Sequence, residues 1–249
     1  MDKEIIARLN GINQEFYQTF AHSFSQTRFR IQPGVRDVMQ MTPKSGDFLD
    51  IGCGNGNLAY YWSQEGFSGS FIGVDFSPGL IAAAKQSVHT LQADQSVAFI
   101  LANLNQDDWC SDLPQKRWQS GFCFAVLHHI PSASRRLRLC RQIRSVLPDY
   151  SPFWVSVWQP LNSPRLLKRI LPWDIVNINP GRVEKGDVLM DWRAHQPEDD
   201  QPAVRYVHVF NAAELTMLAE QSGFEVKKVF LSDGREGNLG LYQHWTVRN

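Results

Sequence analysis

The stretch LDIGCGNGNLAYYW, residues 49–62, places three glycines at alternate positions, Gly52, Gly54 and Gly56, behind the carboxylate of Asp50. It follows an apolar run typical of a strand and opens a segment with a helical pattern. Glycines in such a turn let backbone amides approach a ligand at the carboxyl edge of a sheet. The stretch therefore predicts an α/β fold with a nucleotide-like ligand. The candidates are a dinucleotide, a phosphate and a sulfonium cofactor.

The spacing of the glycines and the acids beside them select among these ligands. A dinucleotide turn has the pattern G-x-G-x-x-G, whose last glycine is replaced here by Asn57, and no Gly-Lys-Ser/Thr closes a phosphate loop. Asp50 would repel a pyrophosphate but attract a ligand that carries an ammonium and a sulfonium group. Asp75 ends the next predicted strand, where a carboxylate can bind both ribose hydroxyls. The predicted cofactor is S-adenosylmethionine (SAM).

The segments around this turn alternate between short apolar runs and helical patterns, which is typical of a parallel sheet covered on both faces. Strands are predicted at 48–52, 70–76, 97–103, 121–127 and 153–158, and helices at 56–65, 78–91 and 134–147. A helix from Asn211 and two further strands, 225–231 and 240–247, suit an antiparallel hairpin at the end of the sheet. The predicted fold class is α/β, a three-layer Rossmann-like sheet, mostly parallel with a final antiparallel strand.

Two segments lie outside this alternation. The first 45 residues look mainly helical, and after Trp158 several prolines prevent long regular elements. We predict a single domain over 1–249 with four parts: a helical leader or lid at 1–45, a cofactor-binding core at 46–158, a substrate-side insertion or cap at 159–205, and a C-terminal helix and hairpin at 206–249.

The predicted helix at 134–147 holds the densest basic stretch, RRLRLCRQIR. Its apolar residues fall three or four positions apart and form one stripe against the sheet: Leu137, Cys140, Ile143 and Leu147. The arginines are therefore expected to point to solvent. Arg135 and its neighbours suit contacts with a phosphate backbone, and an ordinary solvated helix face is the alternative.

The composition of the chain argues against several other classes of protein. Lys+Arg and Asp+Glu balance at 25 each, so no global field draws the chain to nucleic acid or to an anionic membrane. The four cysteines show no C-x-x-C spacing and the seven histidines do not combine with cysteines or acids at ligand spacing, so no metal site is predicted. The N-terminus lacks an apolar signal core, and no apolar run approaches the ~20 residues of a membrane span. A cytoplasmic protein without a membrane partner is predicted.

Several motifs resemble known families. LDIGCGNG, GVDFS and AVLHHI, in this order, resemble the class I methyltransferases, whose seven-stranded sheet ends in an antiparallel pair. FYQTFAHSFSQTRF (16–29), AVLHHIPSASRRLR (125–138), GDVLMDW (186–192) and RYVHVFNAAEL (205–215) are similar to blocks of the eukaryotic tRNA wobble-uridine carboxymethyl methyltransferases. The resemblance implies transfer of a methyl group from SAM to the carboxylate of 5-carboxymethyluridine in tRNA. It also implies a small zinc-binding activating subunit.

The turn, its acids and the resemblance together give the candidate site residues. Those expected at the cofactor are Tyr17, Arg28, Asp50, Gly52, Gly54, Asp75, Phe76, Asn103, Leu104, Phe124 and Ala125. Those expected at the reaction are Arg28, His128 and His129, and those expected to bind substrate are Trp192, Arg193 and Arg135. Asn103 stands where the family has an acid facing the adenine amino group, and an amide oxygen accepts the same hydrogen bond.

The chemistry assigns these residues their expected roles. A carboxylate nucleophile is already ionised at neutral pH and needs a cationic or hydrogen-bonding clamp instead of a general base. Arg28 is the first candidate for this clamp, and also for holding the carboxylate of the cofactor; His128 and His129 are the second. If a histidine is a general base, a neutral hydroxyl or amine acceptor is favoured. One histidine packing at the strand end is the alternative, although Pro131 indicates that the strand has already ended.

Other observations do not decide which molecule accepts the methyl group. Tryptophans able to stack on an extruded base are Trp154, Trp158, Trp173 and Trp192, of which Trp192 is preferred. The chain departs from the family pattern at Asp191-Trp192-Arg193 and at Asn238-Leu239, near the expected substrate side. A methyltransferase for a small metabolite is therefore the second hypothesis. A catalytically silent cofactor-binding scaffold is the third. Tyr17 in the leader is a lid over the cofactor or an ordinary packing aromatic.

Overall fold

The computed structural model describes residues 1–27, 30–88, 92–192 and 203–249, with side chains except at 22–27. Its strands are β1 (Ser45–Ile51), β2 (Ser68–Asp75), β3 (Gln95–Leu101), β4 (Trp118–Phe124), β5 (Pro152–Trp158), β6 (Ile170–Leu171), β7 (Asp187–Trp192), β8 (Ala203–His208), β9 (Phe224–Ser232) and β10 (Gly240–Val247). Its helices are α1 (Lys3–Thr27), α2 (Pro33–Met41), α3 (Asn57–Gln64), α4 (Pro78–Ser87), α5 (Ala133–Val146), α6 (Pro164–Leu167) and α7 (Ala212–Gln221). In the described ranges no helix is long and apolar enough to span a membrane.

The large sheet has seven strands in the order β3-β2-β1-β4-β5-β10-β9. The first five strands run parallel, and β10 lies antiparallel between β5 and β9. The α/β prediction with a mostly parallel sheet and a final antiparallel strand is confirmed. The strand order reverses between β1 and β4. A crevice at the carboxyl ends of the strands is expected at such a reversal.

Both faces of this sheet are buried, because neighbouring residues on each strand point to opposite sides. Phe48 on β1 and Phe122 on β4 pack in a cluster with α2 and α3 on one face. Their neighbours Leu49 and Cys123 pack in the cluster that α5 and α7 cover on the other face. This two-sided burial accounts for the short continuous apolar runs in the sequence.

The insertion contains a second sheet. Three short antiparallel strands, in the order β6-β7-β8, form it. The prolines lie outside these strands, so they end elements without removing them. Strand β8 crosses the boundary expected at residue 205. Helix α1 packs on this sheet through Ile5 and Leu9, which are buried with Leu189 and Tyr206. Leader and insertion therefore share a core.

The prediction that the arginines of α5 all face solvent is wrong for Arg136, whose side chain is only 2% exposed. Arg136 precedes Cys140 by four residues and Ile143 by seven, so the helical period itself places it on the buried stripe. The nitrogen Nη2 lies 2.8 Å from the Glu184 carboxylate and Nη1 donates to the Ile130 carbonyl at 3.2 Å. These two partners offset the free-energy cost of burying the charged guanidinium.

Candidate cofactor and methyl-acceptor site

The glycine turn joins β1 to α3 through residues with positive φ. Gly52 has φ +80°, and its amide donates to the Val74 carbonyl at 2.7 Å. A Cβ atom at this position would lie 2.2 Å from the side chain of Val126, so only glycine fits. Gly54 has φ +55°, and a Cβ atom there would meet no atom within 4 Å. The turn is therefore tightly packed at Gly52 and open at Gly54.

Two buried carboxylates flank this turn. Asp50 is 3% exposed, and burial together with Asp75 raises the pKa of Asp50 to about 8. Burial also raises the pKa of Asp75, although its oxygens accept hydrogen bonds from the amides of Ser77 at 2.9 Å and Gly54 at 3.0 Å. Ionised together, the two acids repel each other in a region of low dielectric constant. A cationic ligand would relieve that repulsion.

A cavity of about 610 Å³ opens at the carboxyl edge of the sheet. Twelve of the predicted site residues line it: Tyr17, Asp50, Gly52, Gly54, Asp75, Phe76, Asn103, Leu104, Phe124, Ala125, His128 and His129. Its volume suits a cofactor and part of an acceptor. One half of the cavity lies at the ends of β3, β2 and β1, where the glycine turn and the acids are. The other half lies at the ends of β4, β5 and β10.

Asn103, after β3, lines one half of the cavity, and Ala125, after β4, lines the other. Each residue belongs to a local turn of the backbone. The Oδ1 atom of Asn103 accepts a hydrogen bond from the amide of Asn105 at 3.0 Å, which leaves one lone pair and the amide protons for other partners. Ala125 has φ +58°, and its amide donates to the carbonyl of Ser156 at 3.0 Å. The strained turn at Ala125 ends the regular course of the chain after β4 and redirects it before the histidines.

Both histidines follow the strand on a 3-10 turn, Leu127–His129, so the opposite-face argument for a strand does not apply to them. The Nδ1 atom of His128 accepts the amide of Trp158 at 3.2 Å. The Nδ1 atom of His129 lies 3.1 Å from the Tyr206 carbonyl, which can only accept, so this nitrogen carries a proton. In the neutral ring Nε2 of His129 then accepts from the hydroxyl of Tyr17, at 3.0 Å. The acceptor nitrogen of each neutral ring is therefore occupied by a protein donor.

The remaining predicted residues are Arg28, Arg193, Trp192 and Arg135. Arg28 and Arg193 fall outside the described residues. The ring of Trp192 lies 5.5 Å from that of Phe16 and 5.3 Å from that of Phe20, so it packs on the leader helix and not in the cavity wall. Arg135 is also outside the cavity wall, and its Nη1 atom donates to the carbonyl of Asn105 at 3.3 Å. Arg135 therefore supports a loop that lines the cavity.

Three arginines in the cavity wall, Arg30, Arg165 and Arg205, were not predicted from the sequence. Arg205 is 6% exposed, and its guanidinium carbon lies 5.1 Å from the ring centroids of both Phe16 and Trp158. The signal was a single charged residue within the apolar strand RYVHVF, because an arginine there must meet a cavity or a partner. Trp158, and not Trp192, is the tryptophan that lines the cavity.

A second group of charges lies between the insertion and α7. The ring nitrogens of His208 lie 2.7 Å from carboxylate oxygens of Asp187 and Glu214. Glu184, Asp187 and His208 are as compact as a metal site. The guanidinium of Arg136, 2.8 Å from Glu184, already supplies a positive charge there. This group is therefore an ionic network that joins α5, β7, β8 and α7, and we assign it no metal.

Known proteins resemble this chain in sequence and in fold. A family model described as "Methyltransferase domain" matches residues 24–229. The tRNA (carboxymethyluridine(34)-5-O)-methyltransferase of Schizosaccharomyces pombe is 24% identical over 228 residues, 86% of this chain and 89% of that protein. Its namesake from Saccharomyces cerevisiae is 31% identical over 147 residues, 57% of this chain and 46% of that protein. A SAM-dependent methyltransferase structure from Methanosarcina mazei matches with TM-score 0.63 at 20% identity, covering 88% of this chain and 98% of that one.

The chain therefore belongs to the methyltransferase domain family, and it is an enzyme that uses SAM as its cofactor. The cavity fits this molecule, because the turn is open at Gly54 and the buried acids match its cationic charge. We propose that Asp50 faces the positive charge of the cofactor, that Asp75 holds its ribose hydroxyls, and that Asn103 and Leu104 lie at its adenine. The bound cofactor supplies an electrophilic methyl group.

The raised pKa of Asp50, about 8, predicts a pH dependence of cofactor binding. Below this pH the empty protein mostly carries a protonated Asp50, and a bound cation favours the ionised form. Binding therefore releases a proton, and the dissociation constant of SAM falls as the pH rises, by at most about tenfold per pH unit, and levels off above about pH 8. Calorimetry in buffers of different ionisation enthalpy measures both the constant and the released proton.

Asp50→Asn is the matched control, because asparagine has the shape of the acid but does not titrate. The amino group of the ligand titrates alike with both proteins, so the difference between their pH profiles reports Asp50 together with its coupling to Asp75. If the two proteins gave the same profile, Asp50 would not be the group that responds to the cofactor.

Proposed function

We propose that this enzyme methylates the carboxylate of 5-carboxymethyluridine at the wobble position of tRNA. The similarity to the Schizosaccharomyces pombe enzyme of that name extends over 86% of the chain and supports this acceptor. The observation that carries the proposal is the hydrogen bonding of the two histidines beside the cavity.

Neither imidazole is arranged to take a proton directly from the methyl acceptor. The amide of Trp158 donates to Nδ1 of His128 and the hydroxyl of Tyr17 donates to Nε2 of His129, so the lone pair of each neutral ring is engaged. A neutral hydroxyl or amine acceptor needs a group to take its proton. A carboxylate is already ionised at neutral pH and needs none. The arrangement therefore favours a carboxylate acceptor.

The charged residues of the cavity also favour a carboxylate acceptor. Asp50 and Asp75 lie in the half at the ends of β1 and β2, whereas Arg165 and Arg205 come from the insertion and line the cavity with Trp158. Asp233 lines the other half too, but its carboxylate accepts hydrogen bonds from the amide of Gly34 at 2.9 Å and the hydroxyl of Tyr242 at 2.6 Å. A planar guanidinium can bind both oxygens of a carboxylate, and the stacked rings of Phe16 and Trp158 hold Arg205 in place. We propose Arg205 as the clamp for the acceptor carboxylate. Arg165, exposed at the rim, suits an adjacent phosphate.

The reaction is an in-line displacement at the methyl carbon. One carboxylate oxygen forms a bond to this carbon while the bond from carbon to sulfur breaks and its electron pair stays on sulfur. The products are a methyl ester and a neutral thioether, and no proton moves. The work of the protein is to align nucleophile, carbon and sulfur and to exclude water. The aromatic walls formed by Tyr17, Phe76 and Trp158 suit that task.

The test uses purified protein, methyl-labelled SAM and three acceptors. The first is an anticodon stem-loop with 5-carboxymethyluridine, the second is the same RNA with unmodified uridine, and the third is a small-molecule extract. We expect label in the first RNA only, and mild alkali should release it because it is an ester. Label confined to the small molecules would overturn the tRNA proposal and favour a metabolite. Reactions with added cell extract test the proposed activating subunit, which would raise the rate on the first RNA.

A further inference from the structure

One face of helix α1 presents three amide side chains to the cavity. Asn10, Asn13 and Gln14 line the wall together, because residues three or four positions apart share one face of a helix. Another face of the same helix is apolar and packs on the small sheet through Ile5 and Leu9. A few polar groups that converge on a cavity are what orients a bound ligand.

The amide of Asn13 is fully engaged with the protein. Its Oδ1 atom accepts the amide of Tyr206 at 2.8 Å, and its Nδ2 atom donates to the carbonyls of Tyr206 and His129, both at 3.2 Å. Tyr206 belongs to β8, so these bonds join α1 to the insertion and fix the rotation of the helix about its axis. Asn13 therefore orients the amide face of the helix and is not itself offered to a ligand.

The amides of Asn10 and Gln14 remain for a ligand. Asn10 is half-buried and Gln14 is exposed, and in the part of the chain that the structure describes neither side-chain amide hydrogen-bonds to the protein. Helix α1 runs from the small sheet, where Leu9 packs, toward α4, where Ala21 packs with Leu80. The two amides therefore lie toward the insertion, on the side of the cavity proposed for the acceptor.

We infer that Asn10 and Gln14 bind the pyrimidine base of the methyl acceptor through its imide edge, an inference that rests on the proposed function. A uracil ring presents the N3 proton as a donor between two acceptors, the O2 and O4 oxygens. A carboxamide has an acceptor oxygen and two donor protons, so one amide can accept from N3 and donate to O4 while the other donates to O2. The carbon that bears O4 is bonded to C5, which carries the carboxymethyl group. Holding this edge therefore limits where the carboxylate can lie.

Kinetics with two matched RNAs test the inference as a double-mutant cycle. The first RNA is the anticodon stem-loop with 5-carboxymethyluridine, and the second carries an additional methyl group on N3 of that base, which removes the donor and blocks the imide edge. Asn10→Ala and Gln14→Met remove one amide each, and methionine keeps the length and helix propensity of glutamine.

On the first RNA we expect each variant to raise KM about fivefold, the effect of one lost hydrogen bond. The value of kcat and the dissociation constant of SAM should change less than about twofold, because the base is held equally before and during methyl transfer. On the N3-methylated RNA the wild type and both variants should have KM values within about twofold of one another. Gln18→Met is the matched control, since Gln18 is exposed on the next turn of α1 and lies outside the cavity wall.

Two results would overturn the inference while the tRNA proposal stands. Equal ratios of variant KM to wild-type KM on the two RNAs would mean that the amides do not contact the imide edge. A loss of SAM affinity as large as the rise in KM would assign the amides to the cofactor. If the wild type labels neither RNA, the proposed function fails and the inference fails with it, so the two failures are distinguished by the wild-type reaction alone.

Discussion

Replacing Arg205 with glutamine is expected to lower kcat/KM for RNA that carries 5-carboxymethyluridine about a hundredfold, with the dissociation constant of SAM changed less than about twofold. Arg205 is 6% exposed, and its guanidinium carbon lies 5.1 Å from the ring centroids of both Phe16 and Trp158. Loss of one partner from a buried charge pair costs about 2–5 kcal/mol, because the other charge is left unpaired. A hundredfold loss corresponds to about 2.7 kcal/mol, near the lower end of that range.

Three further proteins make this experiment decisive. Arg205→Lys keeps the charge without the planar fork and should fall between wild type and the glutamine variant. Arg165→Gln, at the exposed rim, should show the smaller loss expected of a solvated contact. Arg117→Gln lies just before β4, at the opposite edge of the sheet, and should behave as wild type. If Arg205→Gln weakened SAM binding and left the KM of the RNA unchanged, Arg205 would hold the carboxylate of the cofactor, and the clamp assignment would be wrong.

The cofactor half of the site could be predicted from sequence because its determinants are local. Gly52 and Gly54 follow β1 directly, and their positive φ values are the property that glycine alone supplies without strain. Asp50 and Asp75 end neighbouring parallel strands, so the topology of the sheet brings them to one edge. The charge argument against a pyrophosphate also needs only these two acids. The local sequence pattern and the strand order together were sufficient to predict the cofactor half of the site.

The acceptor half could not be predicted in the same way, because it is assembled from distant segments. Arg205 enters the cavity only because β8 pairs with β7 in the small sheet of the insertion. The proline-rich sequence of this segment did not indicate that sheet. The hydrogen bond between Tyr17 and His129 joins residues 112 positions apart. Trp192 was the tryptophan expected to stack on a base, but it packs against Phe16 of the leader, and Trp158 lines the cavity instead. Contacts of this kind depend on the tertiary fold, which no local pattern specifies.

Replacing Arg136 with methionine is expected to lower the free energy of unfolding by about 3 kcal/mol, because it removes one partner of a buried ion pair. Arg136 is 2% exposed, lies 2.8 Å from Glu184 and 3.7 Å from Glu214, and its guanidinium stacks over Phe210 at 5.2 Å. The side chains of Glu184 and Glu214 are 24% and 30% exposed, so water can partly solvate them. That partial solvation places the loss at the low end of the usual range. Urea unfolding followed by tryptophan fluorescence measures it.

Arg141→Met is the matched control, since Arg141 is an exposed residue of the same helix whose contacts to the Gln221 carbonyl are both 3.4 Å long, and its effect should stay within about 0.5 kcal/mol. The triple variant R136M/E184Q/E214Q removes the charge and both acids. It should regain part of the loss, because buried ion pairs are replaced by neutral groups more cheaply than they are broken. A single variant as stable as wild type would mean that the acids alone sustain the network. Its integrity would then rest on the hydrogen bonds of His208 to Asp187 and Glu214, and not on the guanidinium.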